Sequence, residues 1–319
     1  MRRRKVEKKL QKSRLIFWLS RLAVLVLADI LLVFFLTGTT YRASEDPKVR
    51  DFSIAVNIAP YPTVQSELVP LISASSYLVV DGASGVVIAS WQGKERLYPA
   101  SLTKLMTALV ALDYYRLDDV VTVKRLSPVE GEVEMGLSIG DRITVRNLLY
   151  GLLVPSGNDA AFALADSYSG GIENFVYSMN QKAKELNMLS THFVNPNGSD
   201  SLDQYTTAYD LVVLARKVMN NEEIKQIVAT SSVVLTDALG EKSYSLKNVN
   251  QLLGTVNGVD GIKTGFTDLA GQCLIARAKR GERTIFSVVL KSYDRFADSA
   301  RLLEWAFRNT RWEKISLLD

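Results

Sequence analysis

The sequence has 319 residues but only one cysteine, Cys273, and one histidine, His192. One cysteine cannot form an intrachain disulfide or a cysteine-based zinc site, and a single histidine cannot supply a His-x-x-x-His metal pair. We therefore expect a protein that uses no metal or other cofactor. We interpret the cysteine as a small buried strand residue and the histidine as structural.

The excess of positive charge is small and unevenly placed. The formal net charge is +4, yet residues 1–21 hold nine Lys or Arg and one Glu, so the rest of the chain is net negative. This distribution argues against nucleic acid as a partner, because the basic residues are not spread over a folded surface. With 47% apolar and 23% charged residues, the chain can form one main globular domain with additional segments.

A long apolar run occupies residues 15–36. Nineteen of its twenty-two residues are apolar, and a helix of that length spans about 33 Å, enough to cross a bilayer. The basic residues of segment 1–14 predict a cytoplasmic tail, which makes this a single-pass protein of the cell membrane with its remainder outside the cytoplasm. A cleaved signal peptide is the alternative, less favoured because the run exceeds a usual h-region and no A-x-A site follows closely.

Residues 37–70 contain four of the eight prolines and show no periodicity, which predicts a linker. The folded domain is then expected at 71–319. No internal repeat or low-complexity tract is apparent in it.

A serine lies one helical turn before a lysine in Ser101-Leu-Thr-Lys104. Residues i and i+3 share one face of a helix, so the lysine amine can reach the serine hydroxyl, and a nucleophile then stands beside its own base. No other serine in the chain has a lysine three positions later. Lys104 can act as a base only when neutral, so we expect burial or the nearby Lys263 to favour the uncharged amine.

Two further motifs fit the same chemistry. Lys263-Thr-Gly265 occurs once in the chain, and Ser156-Gly-Asn158 follows Pro155 in a stretch typical of a turn. A second Ser-x-Asn, at 178–180, is discounted because it falls inside a helix-like run. The three motifs predict a polar cleft around Ser101.

Together these motifs resemble the S-x-x-K, S-D-N and K-T-G motifs of the penicillin-interacting serine hydrolases. The sequence segments around these motifs make the chain similar to the low-molecular-weight D-alanyl-D-alanine carboxypeptidases over roughly 72–310. These segments are residues 99–108, 156–161, 195–198, 207–210 and 261–267. The resemblance implies a serine peptidase that removes the terminal D-alanine from peptidoglycan stem peptides ending in D-Ala-D-Ala. It also implies β-lactam antibiotics as acylating inhibitors.

The resemblance assigns a role to each motif residue. Ser101 becomes the nucleophile and Lys104 its base, while Ser156 relays a proton to the leaving amine. The substrate is expected to be held by a further set of residues: Asn158 at an amide, Lys263 and Thr264 at the terminal carboxylate, Gly265 where the peptide approaches the strand, and Phe266, whose backbone N–H joins that of Ser101 in holding the oxyanion. Asp159, Asp210 and Asp260 are expected to position loops.

The order of elements predicts an α+β fold, in which an antiparallel sheet is flanked by helices and an all-helical subdomain is inserted at roughly 105–220. The resemblance implies the same β-lactamase/transpeptidase-like architecture. The predicted strands lie at 77–81, 85–90, 232–235, 258–264, 273–278 and 284–290, and the helices begin at 101 and cover 145–154, 160–167, 172–189, 207–219 and 295–308.

Three other functions stay open at this point. A D,D-endopeptidase would use the same chemistry on peptide cross-links, as some single-domain relatives do. A β-lactamase needs a carboxylate that activates the deacylating water, and the corresponding region here, 193–198, has no Glu-x-x-Leu-Asn context. A catalytically idle wall-binding module is disfavoured because all three motifs are intact.

Overall fold

The computed structural model describes residue 21 and residues 60–65, 68–126 and 133–313. By its internal contacts the chain divides after Val56, and every described residue except Arg21 belongs to the second unit, Asn57–Asp319. Within the described ranges, no helix is both long and apolar enough to cross a membrane. The predicted tail at 1–14, the predicted anchor at 15–36 apart from Arg21, and most of the predicted linker lie outside these ranges.

A five-stranded antiparallel sheet forms the centre of the domain. Its strands are β2 (Ser76–Asp81), β3 (Val87–Trp91), β8 (Val259–Thr267), β9 (Gly271–Arg280) and β10 (Arg283–Ser292), in the order β3-β2-β10-β9-β8. Strands β2 and β3 pair as the predicted hairpin. Because β8 stands at one edge, one side of the strand that carries Lys263-Thr-Gly265 has no strand beside it among the described residues.

Alternate side chains of the sheet enter two different cores. Leu78 and Val80 of β2 belong to a large core that the helical region completes, whereas Val79 between them belongs to a smaller core on the opposite face. Successive strand residues point to opposite faces, so a strand buried on both sides reads as a continuous apolar run. The sheet therefore lies between two layers of helix.

The larger core is built by the helical region. A 3₁₀ turn, Ala100–Thr103, leads into α1 (Lys104–Tyr114), whose first eight residues are all buried. The helices that follow are α2 (Val145–Leu153), α3 (Asn158–Asp166), α4 (Gly171–Glu185), α5 (Ala208–Met219) and α6 (Glu222–Ala229). On the opposite face of the sheet, α7 (Arg295–Asn309) covers the smaller core.

The predicted antiparallel sheet with flanking helices and an inserted helical region is thus confirmed, and local details differ. The helix expected to start at Ser101 begins with the 3₁₀ turn, and its α-helical part starts at Lys104. The region expected to be all helical also contains a short hairpin, β4 (Val120–Thr122) with β5 (Arg142–Thr144). A further hairpin joins the predicted strand near 232, β6 (Ser232–Thr236), to β7 (Ser243–Lys247).

The linker prediction for 37–70 is corrected at one point. Residues Tyr61–Val64 form β1, which pairs antiparallel with β11 (Thr310–Glu313) after the last helix. The hydrophobic pattern did not reveal these strands because each is only four residues long and gains its partner across the whole domain.

Candidate active site

Ser101 is presented by a tight turn at the start of α1. The preceding residue, Ala100, has φ +49° although it carries a side chain, and such left-handed backbone persists only where the surroundings enforce it. The enforcing contact is the loop that contains Gly198: a Cβ at that glycine would stand 1.9 Å from the Ala100 carbonyl oxygen. The absence of a side chain at Gly198 therefore lets this loop press on the backbone that holds the nucleophile.

The Lys104 side chain contacts the nucleophile from the protein interior. Its side chain is fully buried, and its Nζ lies 2.8 Å from the Ser101 Oγ. The same Nζ donates to the backbone carbonyl of Asn197 at 2.7 Å. The amine is thus held against the hydroxyl by a fixed backbone oxygen.

The loop around Asn197 is held by hydrogen bonds within itself and to α1. Gly198 N donates to Asn195 Oδ1 at 2.7 Å, and Thr107 Oγ1 donates to the Pro196 carbonyl at 2.5 Å. The sequence indicated the segment 195–198 as part of the family pattern, but it did not indicate the Asn197 carbonyl as a partner of Lys104. No residue-type signal could reveal it, since every residue carries a backbone carbonyl.

The second motif lies on the turn between α2 and α3. Ser156 has φ +75°, and Asn158 is the first residue of α3. The backbone N–H of Asn158 donates to the Val133 carbonyl at 2.8 Å, so this turn and the stretch of chain at residues 133–137 form one wall.

Asp159 fastens that wall. Its fully buried carboxylate accepts four backbone N–H groups at 2.8 to 2.9 Å, from Met135, Gly136, Leu137 and Ala160. The expectation that Asp159 positions a loop therefore agrees with its contacts. Asp210 holds a different loop, since its carboxylate accepts hydrogen bonds from Ser190 N and Thr191 Oγ1.

The third motif runs along the edge strand β8. Lys263 is buried and its Nζ donates to the Thr264 carbonyl at 3.0 Å. Burial first, and then the charges of Lys104 and Arg295, hold the pKa of Lys263 well below its ordinary value. A bound carboxylate would favour the charged form again, so this lysine can take up a proton when an anion enters.

Gly265 stands where β8 passes the nucleophile. A Cβ there would meet the Ala100 side chain at 3.0 Å and the Ser101 backbone nitrogen at 3.2 Å. That this glycine admits the substrate backbone stays a prediction, and within the protein the close approach at Gly265 is that of Ala100 and Ser101. The glycine brings the strand edge against the turn that carries Ser101.

Arg295 is a site residue that sequence reasoning missed. It begins α7, yet its guanidinium turns back to donate from Nη1 to the Gly265 carbonyl at 2.7 Å, and burial lowers its pKa. Its Nε is buried without a hydrogen-bond partner among the described residues. Its position in sequence, 30 residues after Gly265, gave no signal of this contact.

Five of the eight predicted site residues line one cleft of about 460 Å³. Its walls include Ser101, Ser156, Thr264, Gly265, Phe266 and Arg295. An adjoining hollow of about 190 Å³ adds Asn158 and Asn197, with Ser101 and Ser156 in both. No acidic residue lines either space among the described residues, and the Arg295 guanidinium is part of the cleft wall, so the site suits an anionic ligand.

The other residues discussed in the sequence analysis lie away from the cleft. Cys273 is buried in β9, as predicted, and burial raises the pKa of its thiol to about 11. His192 hydrogen-bonds through Nδ1 to the Asp203 carbonyl at 2.7 Å, in keeping with a structural role. Asp260 pairs with Arg277 at 3.1 Å. Among the described residues, no group of three or more His, Cys, Asp or Glu could hold a metal ion.

A serine contacted by a buried lysine, between a helical region and the edge of an antiparallel sheet, defines the class of transpeptidase-like serine proteins. The solved structure of the Streptomyces K15 DD-transpeptidase has this fold: it superposes with a TM-score of 0.71 at 30% identity, over 76% of this chain and 100% of that one. The family model for D-alanyl-D-alanine carboxypeptidase matches residues 63–293. The chain belongs to the D-alanyl-D-alanine carboxypeptidase family.

Curated relatives agree with this membership. The chain is 35% identical to D-alanyl-D-alanine carboxypeptidase DacF of Bacillus subtilis over 242 residues, which is 73% of this chain and 62% of the relative. It is 39% identical to DacD of Escherichia coli over 257 residues, 75% of this chain and 64% of the relative. The matches thus span just under two thirds of the length of these relatives.

Proposed function

We propose that this protein is a serine-type D-Ala-D-Ala carboxypeptidase that removes the terminal D-alanine from peptidoglycan stem peptides. The observation that carries the proposal is the buried Lys104 amine 2.8 Å from the Ser101 hydroxyl, which lines a cleft whose described wall residues include no acidic one. The names of the relatives and the three convergent motifs support the same substrate class.

In the first half-reaction, Lys104 takes the proton of Ser101 as its oxygen attacks the carbonyl carbon of the penultimate D-alanine. The negative charge that develops on the carbonyl oxygen is held by the backbone N–H groups of Ser101 and Phe266. The C–N bond then breaks, the proton held by Lys104 passes through the Ser156 hydroxyl to the leaving amine, and an acyl ester remains on Ser101. Water hydrolyses this ester in the second half-reaction and restores the hydroxyl.

Substrate orientation comes from the cations and the strand edge. Thr264, Lys263 and Arg295 provide the hydroxyl and positive charge for the terminal carboxylate, and Asn158 accepts or donates to a substrate amide. Arg295 lines the cleft, so its guanidinium can donate to a carboxylate that enters there.

Benzylpenicillin tests the nucleophile. We expect the full chain to gain one covalent adduct in an intact-mass time course, and the Ser101→Ala variant to gain none. Incubation with a stem pentapeptide should release one D-alanine and leave the tetrapeptide. Lack of both the adduct and the released D-alanine would contradict the proposal.

The adduct should also persist. In the region where a β-lactamase would hold a catalytic carboxylate, this chain presents the Asn197 carbonyl to Lys104, and neither hollow around Ser101 has an acidic wall residue among those described. Deacylation is therefore expected to be slow. Rapid turnover of penicillin would favour a β-lactamase instead.

We further propose that residues 15–36 anchor the protein in the cell membrane, with 1–14 in the cytoplasm and the peptidase domain outside. The length of the apolar run and the basic residues before it support this topology. Mass spectrometry of the mature protein tests it: an N-terminus between residues 37 and 53 would mean a cleaved signal peptide.

A further inference from the structure

A second groove adjoins the active-site cleft. It encloses about 290 Å³, and two of its walls, Phe266 and Gln272, are also walls of the cleft around Ser101. These two residues face each other across β8 and β9 as a cross-strand pair. A ligand that fills the cleft can therefore continue over this pair into the groove.

Lys291 is turned into this groove by a β-bulge. The register of β9 with β10 shifts between Val289 and Ser292, and Lys291 within that interval has φ +51°. A bulge commonly re-aims a side chain beside an active site, and left-handed backbone at a residue with a side chain is strained. The Lys291 carbonyl is fixed by the N–H of Ser75 at 3.1 Å. The fold thus holds a strained conformation that places an exposed cation in the groove.

The groove wall behind Lys291 is built from fixed polar contacts. Ser73 Oγ and Ser292 Oγ both donate to the buried carboxylate of Asp298, at 2.6 and 2.7 Å. Gln272 joins the wall to the cleft, because its Nε2 donates to the Tyr293 carbonyl at 2.8 Å while its Oε1 accepts from the Arg295 backbone N–H at 3.3 Å. The groove is therefore continuous with the residues that surround the expected carboxylate position.

The groove has both signs of charge and two exposed aromatic rings. Lys291 and Asp268 line it, and neither forms an ion pair with another described residue. Tyr293 and Phe266 are 89% and 59% exposed. A cation, an anion and two rings together fit a ligand with an aliphatic part that ends in an amino-acid centre, where an ammonium and a carboxylate group stand on one carbon.

We propose that this groove binds the leaving side of the substrate when the leaving residue is a diamino acid rather than alanine. The inference rests on the proposed function, since it places the residue released from the Ser101 acyl-enzyme. Its first carboxylate lies near Arg295, its aliphatic side chain crosses Phe266 and Gln272, and its distal amino-acid centre pairs with Lys291 and Asp268. This is the leaving group that a peptide cross-link supplies.

Two peptide substrates allow a short leaving group to be compared with a long one. Both are diacetyl-L-lysyl-D-alanine, one extended by D-alanine and the other by meso-diaminopimelate joined through the amine of its D-centre. We expect the wild-type full chain to cleave the long peptide with a kcat/KM at least equal to that for the short one. In Lys291→Met and in Asp268→Asn, the ratio of long to short kcat/KM should fall about fivefold, the effect of one partly exposed charge pair.

Lys279→Met is the matched control, because Lys279 is an exposed lysine of β9 outside the lining of the groove. Its ratio should equal that of the wild type, and adduct formation with benzylpenicillin shows that each variant is folded. A wild-type preference for the short peptide of tenfold or more, or equal ratios in wild type and Lys291→Met, would overturn the groove assignment alone. If the wild type cleaves neither peptide, the proposed function itself fails, and the groove assignment with it.

Discussion

Asp159→Asn should loosen the active-site wall while leaving the size of the side chain almost unchanged. Each carboxylate oxygen of Asp159 accepts two backbone N–H groups: Oδ1 those of Met135 and Ala160, Oδ2 those of Gly136 and Leu137. An asparagine keeps one acceptor oxygen, and its NH₂ group must face one of the two donor pairs. Two hydrogen bonds are lost in either orientation, and donors then face donors.

The expected cost follows from these contacts. A hydrogen bond to a charged group contributes about 1.5 to 3 kcal/mol, so two of them lost from a partly buried segment should lower the free energy of unfolding by about 3 kcal/mol. For a domain of this size, that corresponds to a fall in Tm of roughly 6 to 12 °C. Thermal unfolding followed by circular dichroism measures it.

The same substitution should slow acylation. The wall that Asp159 fastens includes Val133, which lines the cleft and accepts from the Asn158 backbone N–H. A shift of about 1 Å in a positioning segment can cost up to a hundredfold in rate, so we expect a fall of about tenfold in the rate of penicillin adduct formation.

Asp166→Asn supplies the control for this prediction. Asp166 ends the same helix and pairs at 3.8 Å with Arg125, whose side chain is 67% exposed. Such a pair contributes at most about 1 kcal/mol, so both Tm and acylation rate should stay near wild type. If Asp159→Asn also matched the wild type in Tm and in acylation rate, the assigned role of this carboxylate would be refuted.

Three further predictions concern other buried positions. Gly198→Ala should lower both the thermal stability and the acylation rate, because its Cβ would meet the Ala100 carbonyl oxygen at 1.9 Å. Gly240→Ala, at a similar φ but with open space around it, is the control and should show only the cost of backbone strain. Thermal melts and penicillin-adduct kinetics of the two variants measure the difference. Because the pKa of Lys263 is lowered on folding, the unfolded chain binds more protons there, so the free energy of unfolding should rise with pH from that lowered value up to about 10.4, and Lys263→Met should flatten the rise in urea titrations. Cys273, buried and with a pKa of about 11, should react with a thiol reagent only after unfolding; fast reaction of the native protein would contradict its placement.

Much of the fold could be predicted because its elements carry local signals. The strand that holds Leu78 to Val80 reads as an apolar run, and the helical segment after Pro99 carries an apolar stripe that includes Leu105 and Leu109. Strands β1 and β11 could not be predicted, since their stability comes from pairing with each other across the domain rather than from their own residues. The 3₁₀ turn before Lys104 was missed because the contact of the Gly198 loop on Ala100 imposes it.

The sequence by itself determined which chemistry is present: the i, i+3 spacing of Ser101 and Lys104 allows a nucleophile beside a base on any helix, and the three motifs indicate the family. Only the tertiary structure decided how that pair is held. The Asn197 carbonyl on Lys104, the Arg295 guanidinium on Gly265 and the Asp159 carboxylate under the cleft wall all join distant segments or engage backbone atoms. Such contacts leave no pattern in residue types, because they depend on where the chain brings its carbonyl and N–H groups after folding.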